Sequence, residues 1–555
     1  MRRGGARNTM SRDGGKAVRT GQDYRESLRD GRQIWVLGEG RIDDPVTHPA
    51  TRATVDAYAA WYDRHNDPAW REVLLTPPDA EGAQRPLALE VPRTIDDLRR
   101  LGRAISQVAL LSGGNLTHTP GYGHLIALGL LDTLMAMGLS AQEVANAAAY
   151  REELARSGRF LTFCAGGAPI GFRFREQEAD RAAIRVVRER DDGLVISGKV
   201  GMHTSSPFAD DVFVSGVTRR GAVSEHFSWF IIPVAAQGVR VVARKPAARH
   251  EDPAVAPLSH RYDELDAQLW LDEVFVPFER VFTAETPLGS GRAGGKDAPP
   301  PRDTNLVAWL LWHQLHGWLA KLEFSLGLGL AASDVMGFRA NPAAVEQLID
   351  LVVEVQTLRT CLTAAECDPD TSDGGFLLPR QIHLASGSLH AFAVRQRVTE
   401  TLRRLPGSSL VVAPAPADLA DPEMADGLEE AFGGGGYTAA QRAGLLNLIW
   451  DHVSSGLDGR ESAYELHANG GIPAWRMRLR GWFKDYNRLA NAVLAAIDLP
   501  MPDLDVSWVA QPPGARNGVP GGPAAPSASL ARVRLEETVR AAGHWVGPLA
   551  GKGDS

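Results

Sequence analysis

Cysteine is scarce: Cys164, Cys361 and Cys367 are the only three in 555 residues. Three thiols build no disulfide framework, which suits a reducing compartment such as the cytoplasm. Cys361 and Cys367 have no His or Cys beside them to complete a metal set, so they read as small packed residues and no metal is expected. No apolar run reaches the roughly 18 residues of a membrane span. The basic start, MRRGGARNTMSR, lacks the apolar stretch of a secretory signal. Positive charge is not in excess, since 59 Lys and Arg against 67 Asp and Glu leave a net charge of −8. That balance argues against a nucleic-acid surface. A working nucleotide fingerprint is missing too. Gly289, Gly291 and Gly294 spell G-x-G-x-x-G, but KDAPPPR follows where a helix would have to open. Gly295-Lys296 lacks the Ser or Thr of a phosphate loop. The chain therefore shows neither a nicotinamide nor a nucleoside-triphosphate site.

What is present describes a packed globular protein, with 44% hydrophobic and 23% charged residues. Residues 1–20 read as a disordered leader. Residues 21–158 are mainly helical in pattern. TIDDLRRLGRAISQVALLSG and GHLIALGLLDTLMAMG carry apolar residues at helical spacing, and Thr94 with Asp96 and Asp97 reads as a helix start. From 159 to 284 the texture changes to alternating runs. AAIRVVRERDDGLVISGKVGM reads as a hairpin around DDG. Residues 285–304 read as a linker. Helices resume over 305–500, and 501–555 form a Pro- and Gly-rich, largely disordered tail. The fold class is α+β, with helices enclosing a central β domain.

Polar islands interrupt this scaffold. LLSGGNLTHTPGY (110–122) sets His118, Thr119 and Tyr122 between two apolar helices, a functional loop or a plain polar turn. FLTFCAGGAPIGF (160–172) admits backbone close to a ligand or simply bends. GKVGMHTSSPFADD places Thr204, Ser205 and Ser206 at a strand end, suited to hydrogen bonding a ring system or to solvent. DHVSSGLDGRESAYE puts Ser455, Gly456, Leu457 and Asp458 ahead of Arg460, a helix start that could offer N–H groups and a cation to a diphosphate, or an ordinary helix-to-helix turn. His313 and His316, three apart on one helix face, read as polar positions near a cleft.

Together these stretches resemble the oxygenase components related to 4-hydroxyphenylacetate 3-monooxygenase over roughly Thr20 to Pro500. YRESLRDGRQIWVLGE with VTHPATR is similar to the amino-terminal signature. PLSHRYDELDAQLWLDEVFVPFERVF is similar to the closing barrel strands, and LLNLIWDHVSSGLDGRESAYE to the carboxy-terminal flavin segment. The resemblance implies an acyl-CoA dehydrogenase-like fold: an N-terminal helical domain, a central β-barrel and a C-terminal helical bundle, assembled as a homotetramer or homodimer. It implies reduced FAD from a separate NAD(P)H:flavin reductase, and hydroxylation of a small aromatic or heteroaromatic substrate through a flavin hydroperoxide. By the same resemblance Phe163, Cys164, Ala165, Pro169, Ile170, Gly171, Phe172, Thr204, Ser455, Gly456, Leu457, Asp458 and Arg460 border the flavin. Thr119, Phe163, Ser205 and Ser206 border the substrate, and His118 and Tyr122 are the catalytic candidates.

The chain departs from the family pattern at two positions that matter. Where phenol hydroxylases carry Arg-Ser/Thr-Pro-Asp-Tyr, this chain has His118-Thr119-Pro120-Gly121-Tyr122. The family's phenol-binding His falls on Phe163. His118, with a reference pKa near 6.5, takes over acid–base work, or the substrate is already electron-rich, is oxidised at nitrogen, or is tethered to a carrier. Two alternatives stay open: an acyl-CoA dehydrogenase or dehydratase-like flavoenzyme, with Glu323 and Glu366 as carboxylates on helices, and a catalytically degenerate relative.

Overall fold

A computed structural model describes residues 19–166, 184–220, 224–248, 252–283, 305–467 and 471–497. The expected leader up to residue 18, Pro169 to Phe172, the G-x-G-x-x-G stretch with its linker, and the tail lie outside these. Arg19 and Thr20 belong to the fold: Arg19 pairs with Asp210 at 2.6 Å, and Thr20 caps the first helix through a reciprocal bond with Asp23.

The amino-terminal third is helical as its periodicity requires. Helices α1 (Gly21–Ser27), α2 (Arg52–Arg64), α3 (Pro68–Leu74), α4 (Ile95–Leu110), α5 (Pro120–Met137) and α6 (Ala141–Ser157) follow in order. Thr94 and Asp97 form the capping box that opens α4. Two strands escaped the sequence reading, β1 (Ile34–Val36) and β2 (Gly40–Ile42). Three residues are too few to show alternation, and β1 pairs in parallel with a strand some 200 positions on, Ile34 opposite Val241.

The central segment supplies β3 (Leu161–Gly166), β4 (Ile184–Arg190), β5 (Gly193–Thr204), β6 (Asp211–Arg220), β7 (Ser224–Pro233), β8 (Val239–Ala243), the short helix α7 (Pro257–Arg261), β9 (Asp266–Pro277) and β10 (Val281–Thr283). The DDG hairpin forms with Arg190 opposite Gly193. The strands make one sheet in the order β10-β7-β6-β3-β5-β9-β8-β1-β2, with β4 also between β5 and β6. Among the described residues β10 and β2 end this order, and β3 and β4 each pair with both β5 and β6. Tyr24, Tyr58, Trp61 and Tyr62 of α1 and α2 share one core with Ile196, Val212, Phe230 and Val274 of the sheet. The Tyr24 hydroxyl is satisfied by the Phe208 carbonyl at 3.0 Å.

The last third is a helical bundle: α8 (Asn305–Val335), α9 (Pro342–Cys367), α10 (Gln381–Arg404), α11 (Pro416–Ala420), α12 (Ala425–Phe432), α13 (Ala439–Ser454) and α14 (Gly456–His467). The first half of α8 is buried on all sides, as befits a helix apolar around its circumference. Its Trp309 indole donates to Asp132 of α5 at 3.0 Å. A separate compact unit begins at Pro473 and contains the helix Tyr486–Ala496. No described helix is long and apolar enough to cross a membrane.

Candidate active site

The loop between α4 and α5 owes its path to two left-handed glycines, Gly113 at φ 60° and Gly114 at φ 75°. Beyond them the chain meets a fully buried carboxylate. Glu264 Oε1 accepts the backbone N–H groups of Thr117 and His118, both at 2.5 Å. Its Oε2 lies 3.1 Å from His118 Nδ1, 3.3 Å from the Thr117 hydroxyl and 3.5 Å from Arg460 Nη1. With a proton on Nδ1 shared with Glu264, Nε2 is left to accept from the Tyr464 hydroxyl 3.1 Å away. The result is an unbroken carboxylate–imidazole–phenol chain, Glu264–His118–Tyr464. Tyr122, in the first turn of α5, packs edge-on to His118 at 4.9 Å, and burial with the nearby Glu264 pushes its hydroxyl pKa up.

Glu264 reaches this position through strained backbone. Ser205 (φ 66°) and Leu265 (φ 46°) are buried non-glycine residues in the left-handed region, and the Ser205 N–H binds the Glu264 carbonyl at 3.1 Å. Such strain persists only where the surroundings over-determine it, and it gathers at functional sites. The expected hydroxyl cluster is turned inward. Ser205 Oγ bonds the Tyr58 hydroxyl at 2.6 Å, Ser206 Oγ the His203 carbonyl at 3.3 Å, and Thr204 Oγ1 donates to Asp266 at 2.8 Å.

Arg460, on α14, spans the sheet and the helix. It grips Asp266 with contacts of 2.7 and 2.5 Å and also pairs with Glu461. Burial pushes the Asp266 carboxyl up, but Arg460 and Arg244, the latter 3.0 Å away, hold it far below its usual range. Lys321 of α8 adds bonds of 2.7 Å to Glu461 and 2.6 Å to Glu465. Burial would raise the Glu461 carboxyl, yet Lys321 and Arg460 bring it to about 2. Arg395 closes the lattice on Asp458 at 3.0 Å and Glu465 at 2.8 Å. Every buried charge in this lattice has an opposite partner, the condition under which burial is tolerated.

The sequence candidates thus fall into two groups. His118, Tyr122, Thr204 and Arg460 converge around Glu264 and Asp266. Ser455 caps α14, accepting the Leu457 and Asp458 amides at 3.1 and 3.3 Å, while Asp458 is engaged by Arg395 and Arg403. Phe163 is half-buried and stacks on Phe213 at 5.8 Å; the backbones of Cys164 and Ala165 lie in β3 opposite Val214 and Ser215 of β6. Glu264 and Tyr464 were not picked out from the sequence, although DELD and SAYE both stand in the stretches that carried the resemblance. Of the alternative carboxylates, Glu323 pairs with Arg359, and Glu366 is held by His316 at 2.9 Å and the Trp312 indole at 3.0 Å.

The start of α14 leaves backbone open to a flavin's diphosphate at Gly456, while its Leu457 and Asp458 amides are taken by the Ser455 hydroxyl and its Gly459 amide by the Ser455 carbonyl. A Cβ on exposed Gly459 would meet nothing within 4 Å, and one on Gly456 nothing closer than 3.6 Å, so this turn is open. Arg460 is committed inward and does not face that opening alone as a free cation.

The chain belongs to the 4-hydroxyphenylacetate 3-hydroxylase family: residues 20–283 match its N-terminal domain and 302–495 its C-terminal domain. The oxygenase component of 4-nitrophenol 4-monooxygenase/4-nitrocatechol 2-monooxygenase of Rhodococcus opacus is 29% identical over 479 residues, 83% of this chain and 87% of that one. A (3S)-3-amino-3-(3-chloro-4-hydroxyphenyl)propanoyl-[peptidyl-carrier protein] monooxygenase of Streptomyces globisporus is 28% identical over 509 residues, 88% of this chain and 93% of the other. The crystal structure of the oxygenase component of 4-hydroxyphenylacetate 3-monooxygenase with FAD and 4-hydroxyphenylacetate matches with a TM-score of 0.77 at 25% identity, over 86% of this chain and 99% of that one.

Proposed function

We propose that this chain is the oxygenase component of a two-component, FADH2-dependent monooxygenase that hydroxylates a small aromatic molecule seated against the 118–122 loop. The observation that carries this reading is the Glu264–His118–Tyr464 chain, set on the loop against which the resemblance would seat the substrate. Family membership over most of the chain, and relatives named as oxygenase components, support it. Reduced FAD, delivered by a separate flavin reductase, supplies the two electrons with which O2 yields one inserted oxygen atom and one water.

The opening of α14 at Gly456, with the Cys164–Ala165 backbone, would hold that cofactor, and Ser455 would keep the first turn of α14 in place. Glu264 fixes the loop through two amides and orients the His118 imidazole. His118, through Tyr464, takes the proton of a substrate hydroxyl and returns it when the product forms, in place of the Arg and His of the family pattern. Phe163 and Phe213 keep water from the reacting face. The acyl-CoA dehydrogenase-like three-part division at about residues 158, 284 and 500, a homotetramer or homodimer, and a cytoplasmic location complete the proposal.

The test mixes the protein with chemically reduced FAD and 18O2 in the presence of 4-nitrophenol or 4-hydroxyphenylacetate. One labelled oxygen per hydroxylated product is the expected result. Complete recovery of the electrons as hydrogen peroxide, across a panel of phenols, indoles and anilines, overturns the reading.

A further inference from the structure

Arg460 does more in this site than neutralise Asp266. Its side chain is 7% exposed, and its guanidinium is divided by direction. Nε and Nη2 grip Asp266, while Nη1 turns to Glu264 Oε2 at 3.5 Å and to Glu461. The planar fork makes this division possible, and a lysine ammonium has no such fork. The face of the same plane is left over. It covers the ring of Tyr464, with Cζ 4.7 Å from the ring centroid. Arg460 and Tyr464 stand four apart on α14, which sets them on one face of the helix.

One guanidinium therefore meets the Glu264–His118–Tyr464 chain at both ends. It lies beside the carboxylate that orients His118, and over the phenol whose hydroxyl stands 3.1 Å from His118 Nε2. Burial, with Tyr122 of α5 and the Glu264 and Asp266 carboxylates, pushes the Tyr464 hydroxyl pKa well up, and Arg460 acts against that push. The other cations nearby are spent on carboxylates. Lys321 of α8 holds Glu461 and Glu465, Arg395 of α10 holds Asp458 and Glu465, and Arg244 holds Asp263 and Asp266. Arg460 is the one that covers the ring. A cation within about 6 Å of a ring centroid is drawn to the ring's face, and the attraction grows as the ring's oxygen gains negative charge.

We infer that Arg460 is a positioning residue of the proton relay: it steadies Glu264 and, through the ring it covers, makes the Tyr464 hydroxyl a stronger donor toward a substrate phenolate. The inference rests on the proposed function for the presence of a phenolic substrate. A substrate O–H gives its proton to the Tyr464 oxygen as the Tyr464 O–H gives its own to His118 Nε2. The substrate is left as phenolate, and the imidazolium is balanced by Glu264 on its Nδ1 side. Tyr464 then donates the hydrogen it has received to the phenolate oxygen. No electron enters or leaves at this step.

The test binds 4-nitrophenol, whose neutral and ionised forms differ in absorbance, to the purified full-length protein without flavin, and reads the pH at which the bound probe is half ionised. Arg460→Gln should raise that midpoint by about one pH unit, a tenfold change in proton affinity. Arg460→Lys, which keeps the charge and loses the plane, should move it about half as far, and keeps the test alive if Arg460→Gln does not fold. Added to Tyr464→Phe, either change should move the midpoint by less than about a third of its effect in the wild type, because the ring carries the coupling. A merely structural Arg460 would weaken both forms of the probe alike and leave the midpoint in place. An unmoved midpoint, a full shift that persists without Tyr464, or no binding of 4-nitrophenol overturns the inference. If the midpoints move as expected and 18O2 leaves no label in any product, the role of Arg460 stands and the monooxygenase reading falls.

Discussion

His118 and His124 stand six residues apart, both buried, and in opposite electrostatic conditions. His118 has a partner on each nitrogen, Glu264 at 3.1 Å and Tyr464 at 3.1 Å. His124 has none on either. The first belongs to a lattice in which Arg460, Asp266, Glu461 and Lys321 cancel one another's charge. The second faces an uncharged wall of Trp61, Leu101 and Ile105. One region has its hydrogen bonds completed by the protein itself; the other holds imidazole nitrogens with no partner among the described residues.

The comparison breaks most sharply at Glu264. Glu264→Ala should cost about 3–5 kcal/mol in chemical denaturation, since it leaves the Thr117 and His118 amides without their buried acceptor. A loss below about 1 kcal/mol would show that the lattice compensates itself without this residue. Acid strikes the other region. The folded chain protonates His65, His124 and His313 only near pH 3–4, whereas the unfolded chain does so near 6.5. Between those limits the unfolded state holds more protons, so stability falls as the pH drops below 6.5 and is level above it. The slope should approach about 1.4 kcal/mol per pH unit for each histidine. His124→Phe should flatten it, a result readable from thermal melts between neutrality and pH 5.

Tyr464→Phe removes one hydrogen bond from His118 and should cost only about 1 kcal/mol of stability. Its larger mark is chemical: substrate affinity holds while more oxygen is lost as peroxide. Unchanged coupling would make the phenol a structural prop. The smallest effect serves as a control. Arg25 and Asp56 pair at 2.9 Å on the exposed flank of α1 and α2, and Asp56→Ala should move stability by less than about 1 kcal/mol.

The sequence made legible whatever is decided locally. Thr94 and Asp97 announce α4 because a capping box closes within four residues, and DDG announces a hairpin because the turn chemistry is its own signal. The loop at 118–122 stood out as polar residues between apolar helices. Its partners did not stand out. Glu264 and Tyr464 lie 146 and 346 positions from His118, and no spacing rule links residues that only the tertiary fold brings together. Arg460 read as a free cation for a diphosphate for the same reason, since Asp266 is invisible from α14. The three-residue strands β1 and β2 carry too little pattern to declare themselves.

One contact sets what later engineering can alter. A Cβ on Gly123 would fall 2.1 Å from the Leu161 carbonyl oxygen, so α5 and β3 touch backbone to backbone. The helix that begins at the substrate loop and the strand that carries Phe163 share a joint with no side chain in it to trim or lengthen. The spacing between those two elements is a fixed dimension, inherited by every variant that keeps glycine at position 123.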